Sequence, residues 1–234
     1  MKITLSKRLK AIADYVPQGA RVADVGTDHG CIPAYLVQNG VCPSAIASDI
    51  REGPLHRAVV TAVEAEVADK LDFRLCPGLE GYGEDDADCI IIAGMGGGTI
   101  INVLEAEPWA KEKRLILQPQ TKHHLLRGYL AEKGFLLSEA RLAMDSGRLY
   151  IIYVADGEAP PQELSYTDCC IDMLLIKRRD TLLGAFAEML TEREKKRLRG
   201  LEASQNPDSD EIGRLHAAIN TFKKIKEMAG KWQL

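Results

Sequence analysis

A buried strand that runs into a glycine-bearing turn constrains this chain more than any other feature. Residues 22–30 read Val-Ala-Asp-Val-Gly-Thr-Asp-His-Gly, and a helical segment begins soon after them. A strand, a glycine turn and a helix in this order are typical of the first strand of an open α/β sheet, where a nucleotide-type ligand lies at the carboxyl end of the strand. The segment therefore predicts a fold class and the place of a ligand site together.

Asp28 narrows the kind of ligand. It stands where a dinucleotide-binding loop of the Gly-x-Gly-x-x-Gly type has its second glycine. That loop packs against a pyrophosphate, which a carboxylate would repel by about 4 kcal/mol at roughly 4 Å and an effective dielectric constant of about 20. A ligand with an adenosine half and a cation in place of the phosphates suits the turn better. S-adenosylmethionine (SAM) meets that description, and a dehydrogenase is disfavoured.

Composition limits the class of protein. A chain of 234 residues can form one large domain, or one domain with a small appendage. A formal net charge of −4 does not indicate a general nucleic-acid binder, so contact with nucleic acid would need a local patch. No apolar run suggests a membrane span or a signal peptide. The six cysteines form no Cys-x-x-Cys pair and no zinc pattern with histidine, so we expect a cytoplasmic protein without metal or an evident obligate protein partner.

Strand and helix patterns alternate through the first part of the chain. Strands are predicted at residues 21–25, 44–49, 71–76, 89–93 and 114–118, and helices at residues 5–16, 33–38, 53–68, 98–105 and 122–133. Alternation of this kind predicts a parallel sheet with helices on both faces. Two further strands at 135–144 and 149–154, joined by a turn, predict an antiparallel hairpin. An α/β, mostly parallel sheet with an antiparallel last strand is, by analogy, the Rossmann-like fold of class I SAM-dependent methyltransferases.

The last third of the chain has a different character. Residues 156–161 indicate a linker, and helical patterns follow at 163–199 and 210–229, separated by a break at 204–209. Two helices with apolar stripes and a short connection predict an antiparallel helical hairpin. The expected domains are therefore a SAM-binding methyltransferase domain at residues 1–157 and a coiled-coil-like helical domain at residues 158–234.

Acidic residues near the ends of the first two strands are candidate ligand contacts. Asp24 would orient the turn or accept a hydrogen bond from the methionine ammonium, or would only cap backbone N–H groups of the turn. Asp49 follows the turn by a little over 20 residues, where an acid holds a ribose diol; it could also cap the next helix. Gly26 and Gly30 permit close approach of the backbone to a ligand.

The loops after later strands complete the predicted site. Residues 76–79 would contact adenine or form a plain turn, and residues 93–99 are glycine-rich where the methyl donor is expected. The candidate cofactor contacts are Asp24, Gly26, Asp28, His29, Gly30, Asp49, Ile50, Gly78, Leu79, Ala93, Gly94 and Met95. The candidate substrate contacts are Gly96, Gly97, Gln118 and Pro119.

Four segments together resemble a known family. The motifs are Leu-Ser-Lys-Arg-Leu at 5–9, the segment from Ala to Pro at 23–33, Ile-Ala-Gly-Met-Gly-Gly at 92–97 and Leu-Gln-Pro-Gln at 117–120. They resemble the bacterial tRNA adenine N1-methyltransferases that act at position 22. The family usually has Gly-Asp before the Gly-Leu of its third motif, whereas this chain has Cys76 and Pro77. The resemblance implies SAM as the methyl donor, tRNA as the partner and an adenine of the D-arm region as the target.

A methyl transfer of this kind needs no general base, because adenine N1 has a free lone pair at neutral pH. Catalysis then depends on alignment and on negative charge near the ring, which becomes cationic. Asp28 is the candidate catalytic residue; its alternative role is to bind the methionine ammonium. The target base would have to be unpaired or flipped. Two other hypotheses remain open here: a SAM-dependent enzyme for another RNA, a protein or a small molecule, and a catalytically silent SAM- or nucleotide-binding module.

Overall fold

The computed structural model describes residues 1–204 and 208–232. It divides into two compact units, Met1–Glu163 and Leu164–Leu234. The division follows residue 163 rather than residue 157, because the backbone N–H groups of Ala159 and Gln162 still bond to carbonyl groups of the first unit. Among the described residues, no helix combines the length and the apolar character that a bilayer span requires.

The first unit alternates strands and helices, as the sequence predicts. Its elements in chain order are α1 (Lys7–Ala13), β1 (Val22–Val25), α2 (Cys31–Gln38), β2 (Ala45–Asp49), α3 (Glu52–Glu64), β3 (Leu71–Leu75), β4 (Cys89–Gly96), α4 (Gly97–Ala106), β5 (Arg114–Thr121), α5 (His123–Glu132), β6 (Phe135–Asp145) and β7 (Arg148–Glu158). Short 3₁₀ turns lie at Ala68–Lys70 and Pro108–Glu112.

The seven-stranded sheet has the order β3-β2-β1-β4-β5-β7-β6. The strands from β1 to β5 are parallel, and β7 runs antiparallel to both β5 and β6. The predicted fold class, including the antiparallel last strand, is therefore confirmed. The chain builds outward from β1 to β3 and then returns to the other side of β1 with β4. Ligands of open α/β sheets bind at such a switch point, at the carboxyl ends of the strands.

The middle of the sheet is covered on both faces. The isoleucines at 90–92 on β4 and residues 115–117 on β5 are fully buried. Continuous apolar runs are what central parallel strands need, because helices cover both of their sides. This buried centre holds the carboxyl ends of β1 and β4 in place, so the turn after β1 and the start of α4 have fixed positions.

The second unit consists of α6 (Tyr166–Cys170), α7 (Met173–Lys177), α8 (Leu183–Glu202) and α9 (Ser209–Gly230). The prediction of one helix over 163–199 is wrong, because local caps divide that segment. The Asp172 carboxylate accepts a 2.7 Å hydrogen bond from the N–H of Leu174 and so caps the start of α7. After the end of α7, Arg179 adopts a left-handed conformation with φ of +51°, which a helix cannot continue through. Apolar periodicity alone did not reveal these caps.

The helical hairpin is formed by α8 and α9. Arg197 near the end of α8 pairs with Glu211 near the start of α9, and Lys226 late in α9 pairs with Glu188 early in α8. The two helices are therefore antiparallel, as predicted. Of the predicted break at 204–209, residues 205–207 lie outside the described residues.

Candidate functional site

A cavity of about 540 Å³ opens at the carboxyl ends of β1, β2 and β4. Its volume lies in the range of small-molecule sites, and its position is the switch point of the sheet. Most of the predicted cofactor contacts line it: Asp24, Gly26, Asp28, His29, Gly30, Asp49, Ile50, Ala93, Gly94 and Met95. The same cavity is lined by Arg8, Leu9, Thr27, Cys31, Ile32, Arg51 and Gln120.

The turn after β1 is fastened to β2 by its backbone. The N–H groups of Gly26 and Thr27 both donate 2.8 Å hydrogen bonds to the carbonyl oxygen of Ser48. Gly26 has φ of +76°, and a Cβ there would lie 2.0 Å from Cε of Met95. Only glycine adopts this positive φ without strain and also leaves Met95 in its place. The turn thus brings its backbone directly beside the end of β4, which runs to Gly96 where the sequence predicted a loop from residue 93.

Asp24 is a buried acid at the end of β1, with only 6% of its surface exposed. Burial raises the pKa of its carboxyl to about 6, against the opposing effects of a hydrogen bond with Thr27 and the charge of Arg8. An ionised carboxylate in this position costs free energy unless a cation approaches it. A positively charged group in the cavity would therefore be favoured next to Asp24.

Asp49 is the second buried acid and ends β2, also at 6% exposure. Its Oδ1 accepts a 2.8 Å hydrogen bond from the N–H of Arg51, just before α3 begins. The capping role and the ligand-binding role are thus compatible, because Asp49 also lines the cavity. Ile50 beside it is 66% exposed, which leaves an apolar surface at the rim of the site.

Asp28 is exposed and paired. Nη2 of Arg57 contacts its Oδ1, and Nε2 of His29 lies 3.5 Å from its Oδ2. Hydrogen bonding with Arg57 lowers the pKa of Asp28 and is the largest effect on it. Because Arg57 offsets much of the negative charge, the repulsion of a phosphate by Asp28 is weaker than the sequence argument assumes. The preference for a cationic ligand rests instead on buried Asp24.

Arg8 is the main residue of the cavity that sequence reasoning missed as a contact. It reaches the site from α1, and its Nη1 donates a 2.6 Å hydrogen bond to Oε1 of Gln118. The only sequence signal for Arg8 as a site residue was its place in the motif at 5–9, because helical periodicity marks only the apolar residues of α1. Sequence spacing could not show that this helix packs against β6 and β7, from where Arg8 reaches β5.

The remaining candidate contacts lie outside the cavity lining. Leu79 is 1% exposed and belongs to the core, and Gly78 precedes it. Gln118 is fully buried, and its amide nitrogen donates a 2.8 Å hydrogen bond to the carbonyl of Pro119, which is also buried. Of this segment it is Gln120 that reaches the cavity.

Gly96 and Gly97 mark the start of α4 and also lie outside the lining. A Cβ on Gly97 would lie 2.5 Å from the carbonyl oxygen of Lys122. A side chain at position 97 would therefore collide with the backbone just after β5, and glycine allows α4 to begin this close to it. Across residues 1–204 and 208–232, no cluster of His, Cys, Asp and Glu side chains is suited to hold a metal ion.

Known proteins resemble the chain in sequence and in structure. Residues 5–153 match the family model of a methyltransferase domain. A tRNA (adenine(22)-N(1))-methyltransferase of Bacillus subtilis strain 168 is 35% identical over 158 residues, which cover 67% of this chain and 66% of that protein. The matched region thus spans about two thirds of the length of that relative.

Two solved structures match nearly the whole chain. The M1A22 tRNA methyltransferase TrmK of B. subtilis has a TM-score of 0.84 at 26% identity and covers 96% of this chain and 99% of its own. A candidate tRNA (m1A22) methyltransferase of Streptococcus pneumoniae, in complex with S-adenosyl-L-methionine, has a TM-score of 0.79 at 33% identity. That match covers 95% of this chain and 100% of the other.

Proposed function

Since the chain belongs to the methyltransferase-domain family and, within it, to the bacterial tRNA (adenine(22)-N1)-methyltransferases, we propose that it methylates N1 of adenine 22 in tRNA, with SAM as the donor. The family resemblance that the sequence motifs predicted is thereby confirmed. The observation that carries the proposal is the cavity at the switch point, where two buried carboxylates, Asp24 and Asp49, stand beside the Gly26 turn.

The residues of the cavity fit the chemistry of SAM. The raised pKa of Asp24 reflects an unfavourable buried charge, which the ammonium of the methionine moiety would offset. Asp49 suits the ribose hydroxyl groups, and exposed Ile50 offers an apolar surface to the adenine ring. Because Gly26 has no side chain, the methyl end of Met95 can lie against the turn, where a Cβ would collide with it. The first unit is therefore proposed as the SAM-binding domain.

The chain itself contributes alignment and charge. When bound, SAM supplies an electrophilic methyl group: the N1 lone pair forms the new C–N bond, the C–S bond breaks, sulfur keeps the bonding pair and the positive charge passes to adenine. No protein base is required, because N1 is unprotonated at neutral pH. Holding the base in line and excluding water reduces the entropic part of the barrier.

Asp28 is proposed as the charge that favours the cationic ring. It lines the cavity, its side chain is 63% exposed, and its pKa is lowered by Arg57, so it is ionised at neutral pH. A carboxylate close to the ring would stabilise the charge that develops there. Single-turnover methylation and SAM binding by Asp28→Asn separate this role from ammonium binding. A fall in SAM affinity that matches the fall in rate would assign Asp28 to the cofactor.

The folded tRNA holds the target adenine in place, so the base must be released before it can react. The N1 edge of adenine must leave its pairing or stacking partners before it can enter the cavity. Gln120 is an exposed residue at the cavity, and the end of β4 with the start of α4, residues 93–97, is proposed to face the entering base. The helical hairpin of α8 and α9 is proposed to contact the body of the tRNA. A tRNA substrate also places the proposed activity in the cytoplasm.

Nucleoside mass spectrometry of unmodified tRNA, incubated with the protein and SAM, tests the proposal. We expect N1-methyladenine at position 22, and no product on a tRNA in which that adenine is replaced by guanine. Methylation at another position or on another substrate class would contradict the tRNA proposal. SAM binding by calorimetry without methyl transfer to any RNA would favour a silent binding module.

A further inference from the structure

An arginine–aspartate ion pair stands at the mouth of the cavity. Arg57 of α3 contacts Asp28 in the turn after β1, and the two side chains are 46% and 63% exposed. An exposed pair of this kind contributes only about 0–1 kcal/mol. Arg57 can therefore exchange Asp28 for a stronger partner at little cost in stability.

Close packing keeps the two residues together. A Cβ on Gly30 would lie 2.8 Å from Cβ of Ala58, so the turn that carries Asp28 rests directly on α3. Arg57 precedes Ala58 on that helix and stands outside the cavity lining, whereas Asp28 is part of it. The arginine is therefore exposed beside the cavity rather than inside it, where an incoming polyanion can reach it.

The pair opposes the role proposed for Asp28. Methylation turns the adenine into a cation, and an unpaired carboxylate beside the ring would favour that change. With Arg57 against it, the carboxylate presents much less net charge. The full effect of Asp28 thus requires that Arg57 moves to another anion.

A tRNA phosphate is an anion of the required strength. The planar guanidinium of arginine binds phosphate through paired, charge-assisted hydrogen bonds, and binding to the nucleic-acid backbone also releases counterions, which an exposed carboxylate does not offer. Arg51 stands just before α3, lines the cavity and is 72% exposed; it adds a second arginine at the same mouth, with its Nε 3.6 Å from Oδ1 of Asp49. In a chain with net charge −4, such a local basic rim is what phosphate contact needs.

We propose that Arg57 is a positioning residue that exchanges Asp28 for a phosphate of the bound tRNA, so that Asp28 gains its full negative charge only when the target adenine is present. This inference rests on the proposed function. It adds that substrate docking itself activates the carboxylate, through a residue that touches neither the cofactor nor the base.

The experiment compares Arg57→Gln with Arg21→Gln. Arg21 forms a matched pair with Asp88, half exposed on both sides, at the start of β1 and thus at the opposite edge of the sheet. For Arg57→Gln we expect a roughly five- to tenfold higher KM for tRNA and a salt slope of tRNA binding reduced by about one. The kcat at saturating tRNA and the SAM affinity should stay within about twofold. Arg57→Lys should recover the salt slope, and Arg21→Gln should match the wild type.

Replacing Asp28 tests directly whether Arg57 exchanges this carboxylate for a phosphate. Asp28→Asn frees Arg57 and should tighten tRNA binding up to about fivefold, the equivalent of an exposed ion pair. Asp88→Asn removes the same charge from the control pair and should change the affinity much less. In the double variant Asp28→Asn with Arg57→Gln, the tightening should disappear.

Two results would overturn the inference. Equal salt slopes for Arg57→Gln and Arg21→Gln would show that Arg57 meets no phosphate. A SAM affinity that falls with the rate in Arg57→Gln would assign the guanidinium to the cofactor carboxylate. Binding of tRNA is measured by fluorescence anisotropy without SAM, so failure of the proposed function appears separately, as absence of N1-methyladenine with the wild-type protein.

Discussion

Nη1 of Arg8 donates a 2.6 Å hydrogen bond to Oε1 of Gln118, although 110 residues separate the two in sequence. The guanidinium of Arg8 also lies 5.4 Å from the ring centre of Tyr150 on β7. Through these contacts α1 is tied to the ends of β5 and β7, beside the cavity. The same guanidinium lowers the pKa of buried Asp24, so one side chain links the packing of α1 to the electrostatics of the site.

Arg8→Met tests that link. The methionine keeps an apolar stem but leaves the buried amide oxygen of Gln118 without its donor, and the pKa of Asp24 should rise further. We expect a loss of about 1–3 kcal/mol in the free energy of unfolding, measured with urea. Lys7→Met, an exposed change one residue away on α1, should stay within about 0.5 kcal/mol of the wild type. Equal effects of the two changes would contradict this account.

Asp24→Asn should stabilise the protein in the absence of ligand at pH 7.5. The pKa of Asp24 is about 6 in the folded protein against a usual value of 3.8, so the folded state binds more protons between these values. Stability therefore falls as pH rises through this window, by about 3 kcal/mol in all. The amide oxygen of asparagine still accepts the bond from Thr27, but less strongly than a carboxylate, and it loses the attraction of the Arg8 charge, so we expect a net gain of about 1–2 kcal/mol.

Urea unfolding at pH 7.5 and pH 4 checks this prediction. At pH 4 the Asp24 carboxyl is largely protonated in the folded protein, so most of the gain from asparagine should vanish. SAM binding by the variant should be weaker and should lose its pH dependence near pH 6. A gain in stability that is the same at both pH values would mean that burial of charge is not its cause.

Gly26→Ala should impair SAM binding more than it impairs folding. A left-handed φ of +76° costs alanine about 1–2 kcal/mol, and the added Cβ would push Met95 from its place beside the turn. Gly19→Ala is the matched control, because Gly19 has φ of +80° and open space around its Cβ position. Calorimetry should show a SAM affinity at least about tenfold lower for Gly26→Ala, and an unchanged one for Gly19→Ala. If the two variants bind SAM with similar affinities, Met95 and the turn after β1 do not contact the cofactor.

Ile50→Ala should weaken SAM binding with little effect on stability. Ile50 is 66% exposed at the rim, so the folded protein loses little buried surface, but a bound adenine ring would lose an apolar contact. We expect a three- to tenfold rise in the Kd for SAM, about 1 kcal/mol. Val63→Ala, 60% exposed on α3 and outside the cavity lining, should leave the Kd unchanged. If both variants bind SAM like the wild type, Ile50 is not an adenine contact.

Much of the fold could be predicted because its signals are local. The apolar runs that became β4 and β5, and the turn at 145–148 between β6 and β7, are patterns within a few residues. The prediction failed at 163–199, where Asp172 and the positive φ of Arg179 interrupt an apolar periodicity that by itself suits one helix. Side-chain caps compete with helix continuation in ways that periodicity does not register.

The sequence by itself determined the strand, the glycine turn and the buried acids at the strand ends, because strand–turn–helix order and acid positions are encoded within one βαβ unit. Only the tertiary structure decided the partners of those groups. Asp28 meets Arg57 because α3 packs closely on Gly30, and Gln118 meets Arg8 because α1 packs on β6 and β7, next to β5 in the sheet. Ion pairs and buried hydrogen bonds of this kind join residues far apart in the chain, and only the packing of the elements brings them within reach of each other.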